Sequence, residues 1–133
     1  MNIEYLNSLP EIGNDYNVDL QDDEKVVFNV ELEMLGTQND QLLGIGPKIT
    51  LTNQRIIANN RAGIWTVDIS EDIISCERIE SGKWIFKSCY LLISLNKEIM
   101  FDSGKQKLTG FRFYFKKSDT AKLQELEDIM NHL

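Results

Sequence analysis

The chain is poor in the residues that carry most protein chemistry: one histidine, two cysteines and two prolines among 133 residues. The histidine, His132, is the second-last residue, where termini fray, so neither a catalytic triad nor a histidine metal centre is expected. Cys76 and Cys89 have no CxxC spacing and no neighbouring histidine, which removes zinc-site and redox-motif readings. They are expected to be reduced thiols that pack as small apolar residues. Long hydrophobic runs are also missing. The longest, from Cys89 to Ile93, falls far short of the roughly 20 residues a bilayer crossing needs. The start of the chain lacks the basic patch and apolar stretch of a signal peptide, so a cytoplasmic protein is expected.

Clustered basic charge is scarce as well. The net charge is −7, and residues 1–40 hold ten acidic side chains against Lys25 alone. An acidic front on a near-neutral body is the opposite of the basic face that displaces phosphate counterions, so nucleic acid is not an expected partner. No phosphate loop is present: Gly44-Ile45-Gly46-Pro47 lacks the lysine–serine ending and leads into strand-like sequence. Carboxylates abound, 21 in all, so pairs such as Asp22-Asp23, Glu31/Glu33 and Glu71-Asp72 arise by number alone. The expectation is a protein that is not an enzyme and has no cofactor or metal.

What is present is alternation. From Lys25 to Leu35, apolar Val26, Phe28, Val30, Leu32 and Met34 alternate with a more polar set, as in a strand with one face on a core. Similar strands are expected at 47–52, 55–59, 64–68, 73–79, 90–95, 98–102 and 111–116. Asn53-Gln54 and Asn96-Lys97 read as tight hairpin turns, and Ser103 to Gly110 as a loop. If Ser81 to Trp84 centres a hairpin, Cys76 and Cys89 face each other across it. Core positions are expected at Phe28, Val30, Leu51, Ile56, Leu91, Ile93, Phe113, Leu126 and Ile129.

The tail changes period. Leu123, Leu126, Ile129, Met130 and Leu133 recur at spacings of three and four after a possible cap at Ser118 or Asp119, which predicts an amphipathic helix of about four turns. Seven or eight short strands followed by one helix define an α+β, mostly β fold, a partly open antiparallel barrel with a C-terminal amphipathic helix. Residues 1–19 read as an N-terminal extension and 20–133 as the domain. Ile3, Tyr5, Leu6 and Leu9 are expected to form a helical turn stopped by Pro10.

Three stretches resemble the bacterial PH-like domains and the related GRAM domain: Leu20 with Asp23 to Val27, Gly46 to Ile57 (above all Leu51-Thr52-Asn53-Gln54-Arg55-Ile56-Ile57), and Trp65 to Ile69 with Asp72-Ile73. The resemblance implies two antiparallel sheets forming a partly open barrel with the C-terminal helix over one end. It also implies that these motif residues are scaffold. Family members that hold phosphoinositides use basic residues in the loop between the first two strands. Here that loop, Gly36 to Leu42, has no basic residue and carries Asp40.

The expected role is therefore a protein-interaction or self-association module, with a protein partner or a second copy as ligand and a homo-oligomer as one form. Trp84, Ile85 and Phe86 are the candidate contact residues, since tryptophan is enriched at binding hot spots. The alternative is a peripheral membrane or lipid-binding module. Lys83, Lys87, Lys105 and Lys107 are its candidate headgroup contacts, provided their two loops converge. Binding to anionic membranes is expected to be negligible.

Overall fold

The structure, a computed structural model, describes residues 3–61, 63–82, 88–101 and 103–133. Its strands are β1 (Val26–Glu31), β2 (Met34–Thr37), β3 (Leu42–Ile45), β4 (Lys48–Thr52), β5 (Arg55–Asn60), β6 (Gly63–Asp68), β7 (Ile73–Ser81), β8 (Ser88–Phe101) and β9 (Gln106–Tyr114). Three helices join them: α1 (Glu4–Ser8), α2 (Ile69–Asp72) and α3 (Thr120–Asn131). The strands form two antiparallel sheets that do not close into one barrel, a four-stranded β1-β4-β5-β6 and a five-stranded β3-β2-β9-β8-β7.

The inner faces follow the alternation. Phe28, Val30, Leu51, Ile56, Leu91, Ile93, Phe113, Leu126 and Ile129 are all buried, and Leu51 pairs with Ile56 across the β4–β5 hairpin. Leu6 of α1 is also fully buried in this core, with Ile3, Tyr5 and Leu9 packed against it.

The expected single strand from Lys25 to Leu35 is two strands in two sheets. At the corner the Leu32 amide donates to Pro47 O in one sheet's territory, and the next amide, Glu33, donates to Tyr114 O in the other. The bend reverses which side faces inward, so Leu35 is fully buried and Met34 turns outward. A second strand pair turns the same corner: β3 lies in the five-stranded sheet and β4 in the four-stranded one. Gly46, at φ +63°, and Pro47 make that turn.

Asn96-Lys97 is not a hairpin turn. β8 runs through it, and a wide bulge separates the Ser94–Gly110 pair from the Ile99–Leu108 pair. Asn96 and Lys97 bond instead to Glu71 O and Asp72 Oδ2, at 2.5 and 2.8 Å, which ties the bulge to α2. The loop expected at 103–110 is only a turn, because β9 begins at Gln106. The cysteine register also differs. Cys76 pairs with Ile93 and Cys89 with Glu80, leaving the two thiols four residues apart along β8, about 13 Å at strand rise.

The turn of the β4–β5 hairpin grips the acidic segment that precedes β1. Glu24, its side chain fully buried, accepts from Arg55 Nε at 2.8 Å and Arg55 Nη2 at 3.0 Å, and from Thr52 Oγ1 at 2.6 Å. Asn53 accepts from the Lys25 amide at 2.9 Å and donates to Asp23 O and Asn7 Oδ1. Burial alone would push the Glu24 carboxyl up. The hydrogen bonds from Arg55, Thr52 and the Gln21 amide outweigh it and hold the group below the ordinary glutamate value. Such a contact stabilises the fold above the ordinary value and is lost as pH falls through the lowered one.

Helix α3 packs its Leu123, Leu126, Ile129 and Met130 face inward and runs three turns, one fewer than the spacing suggested. Arg78 of β7 forks onto Glu127 with two 2.9 Å bonds, fixing the helix over that strand. Leu126→Ala should lower the unfolding free energy by about 2–5 kcal/mol in a denaturant titration. A loss under about 0.5 kcal/mol would mean the helix is not docked.

Candidate functional site

Of the candidate contact residues, Trp84, Ile85, Phe86, Lys83 and Lys87 lie outside the described residues. Lys105 and Lys107 are exposed, and Lys107 stands 3.4 Å from Glu98 in a surface ion pair. Ser81 and Ser88, which flank the first two lysines in the chain, pair at the start of β8. Lys105 follows the other end of that strand. The other tryptophan, Trp65, is half-buried and meets Phe101 and Phe111 edge-on at 6.3 and 5.9 Å between centroids.

Among the described residues, the void beneath Trp65, lined by Ile56, Ala58 and Phe113, is about 10 Å³, at the lower limit for one water. Among the described residues no group of three or more histidine, cysteine, aspartate or glutamate side chains could hold a metal ion. No helix among them is long and apolar enough to cross a membrane.

A polar cluster on the outer face of the five-stranded sheet is a brace. Arg112 lies over the Tyr90 ring at 4.6 Å, donates to Gln38 O at 2.9 Å and reaches the Tyr114 hydroxyl at 3.4 Å. Tyr114 donates to Asp40 at 2.6 Å. Burial, then the neighbouring Asp40, pushes the Tyr114 hydroxyl up, so it remains a donor. Gln38 completes the tie through the Thr109 amide and Lys107 O. These groups are turned on one another and pin the β2–β3 turn to β9.

That turn presents β3, which the sequence reading passed over. β3 is an edge strand, and Leu42 and Ile45 are 55% and 76% exposed. Its partner residues explain the exposure. Leu35 faces the core opposite Gly44, whereas Met34 and Gly36 face outward opposite Ile45 and Leu42. A bulge at Leu43 is what brings both exposed side chains to the outer face. Gly44 lies close to β5: a Cβ there would stand 2.6 Å from Asn60 Nδ2 and would have to displace that side chain. Beside β3 an open groove of about 980 Å³ runs between Leu42–Gly46 and Asn59–Arg61, with Lys48 on its rim. A second, smaller groove of about 470 Å³ lies between Pro10 and α3.

Comparison of the chain with protein-family models, with curated proteins and with solved structures finds no match in any of the three.

The cysteines are chemically quiet. Burial, with Glu127 and Glu77 nearby, pushes the Cys76 thiol up to about 12, and burial raises Cys89 as well. In the folded protein at neutral pH, Cys76 should therefore resist alkylation and become reactive only on unfolding. Rapid labelling of Cys76 under native conditions, followed by peptide mass spectrometry, would contradict the upward shift of this partly buried thiol.

Proposed function

We propose that the chain is a non-catalytic, intracellular PH-like domain that acts by binding a protein partner or a second copy of itself. Two features support the PH-like reading. Two successive strand pairs, β1–β2 and β3–β4, pass from one sheet to the other at the same corner, and a C-terminal helix packs against β7. The Thr52-Asn53-Gln54-Arg55 run is also used as scaffold, as the resemblance implies.

The observation that carries the binding role is the β3 edge. Open strand edges normally carry charge, proline or cover against unwanted pairing, and Leu42-Leu43-Gly44-Ile45 has neither charge nor proline. Uncovered apolar residues beside an open groove are the features of a contact surface rather than of a reaction site. The lipid alternative has less behind it. The β2–β3 turn has Asp40 and no basic residue, and the Arg112 guanidinium there is already stacked on Tyr90 and bonded to Gln38. Electrostatic attachment to an anionic surface needs about four to eight basic residues at roughly 1 kcal/mol each.

Co-sedimentation with phosphatidylserine and phosphoinositide vesicles at low salt tests the choice, since low salt favours any electrostatic attachment. The protein should stay in the supernatant. Clear binding that Lys83→Glu with Lys105→Glu abolishes would overturn the interaction reading in favour of the membrane one.

A further inference from the structure

We propose that β3 pairs antiparallel with β3 of a second copy of this chain, joining two five-stranded sheets across a twofold axis. This names the partner of the surface described above and rests on that reading. The four edge strands of the two sheets are treated differently. β1 is covered: the Ile12 amide donates to Val26 O and the Asn29 side chain donates to Gly13 O. β7 carries Glu77, Arg78 and Glu80, with α3 held over it by Arg78. β6 ends in Asp68 and turns Trp65 toward Phe101. β3 alone of the four has no charged residue and exposes two large apolar side chains.

The strand is also complementary to itself. An axis between Leu43 and Gly44 sets Leu42 opposite Ile45 of the second copy, twice, and uses all four residues of the strand. Directly opposed residues share a face. Because of the Leu43 bulge, Leu42 and Ile45 do lie on one face, the outer one, so each exposed side chain meets an apolar neighbour. A slip of one residue would set Ile45 against Gln41 and lose that match. An isologous contact of this kind closes on itself as a dimer and does not propagate.

Sedimentation velocity of the full chain, up to high micromolar concentration, tests the pairing. A dimer is expected. Ile45→Lys should convert it to monomer without changing the circular dichroism spectrum, because Ile45 is 76% exposed. Ile74→Lys, on β7 and 60% exposed, should leave the dimer intact. The register has its own readout. Opposed Cα atoms lie about 4.5–5.5 Å apart, within disulfide reach. A mixture of Leu42→Cys and Ile45→Cys chains should form a disulfide-linked pair under oxidation, and neither variant alone should exceed the wild-type background from Cys76 and Cys89.

A monomer throughout, a dimer indifferent to Ile45→Lys, or a mixture that does not cross-link would each overturn the β3 pairing. A monomer that ignores vesicles leaves the protein-interaction reading standing, whereas vesicle binding abolished by Lys83→Glu with Lys105→Glu defeats that reading whatever the solution mass. The two failures are therefore separable.

Discussion

A buried carboxylate organises the front of this molecule. Glu24 has no exposed side-chain surface, and a charge so placed is tolerable only if its oxygens are fully engaged. Arg55 and Thr52 supply that engagement from the β4–β5 hairpin, while Asn53 takes the neighbouring Lys25 amide and the Asp23 carbonyl. Arg55 also reaches Asp19 O, and Gln54 reaches Asp22 O. The segment before β1 is thereby held against the hairpin, and the chain upstream is led along the outer side of β1. Part of the acidic front thus has an internal structural use.

That path decides which strand edges remain open. With residues 12 and 13 bonded along β1, and α3 locked over β7 by the Arg78–Glu127 fork, one side of the two-sheet assembly is finished. The other side is left with the β6 edge, with β3 and with the groove beside it. Its turn is kept rigid by Arg112, Tyr114, Asp40 and Gln38, so the exposed strand is presented on a fixed frame. Binding there need not first order a mobile loop, which lowers the entropic cost of association.

Much of the sheet was legible because one face of each strand is buried, and burial selects a period of two. Phe28 and Val30, Leu51 and Ile56, and Leu91 and Ile93 announce themselves in this way. The corner was not legible. Leu32 and Met34 continue the alternation in the sequence, yet the backbone turns between them and inverts the facing of Leu35. Asn96-Lys97 has the composition of a turn, but the bulge that it forms is selected by α2, through Glu71 and Asp72, and such a distant partner leaves no local signal. The cysteine register failed because serine and glycine at the hairpin end do not fix its centre. β3 escaped notice because four residues, one of them glycine, are too few to show a period. With it went Leu42 and Ile45, whose apolar run between Asp40 and Gly46-Pro47 was the available signal.

The central claim is that the Glu24–Arg55 contact fastens the front of the fold. Denaturant unfolding of wild type and Arg55→Ala, at neutral pH and in acid, measures it most directly. The variant strands a buried carboxylate, so the predicted loss at neutral pH is about 3–5 kcal/mol. The difference should shrink in acid, as pH falls through the lowered Glu24 value and the uncompensated charge is removed. A loss below about 1 kcal/mol, the range of exposed ion pairs, or a difference unchanged by acid, would contradict the account.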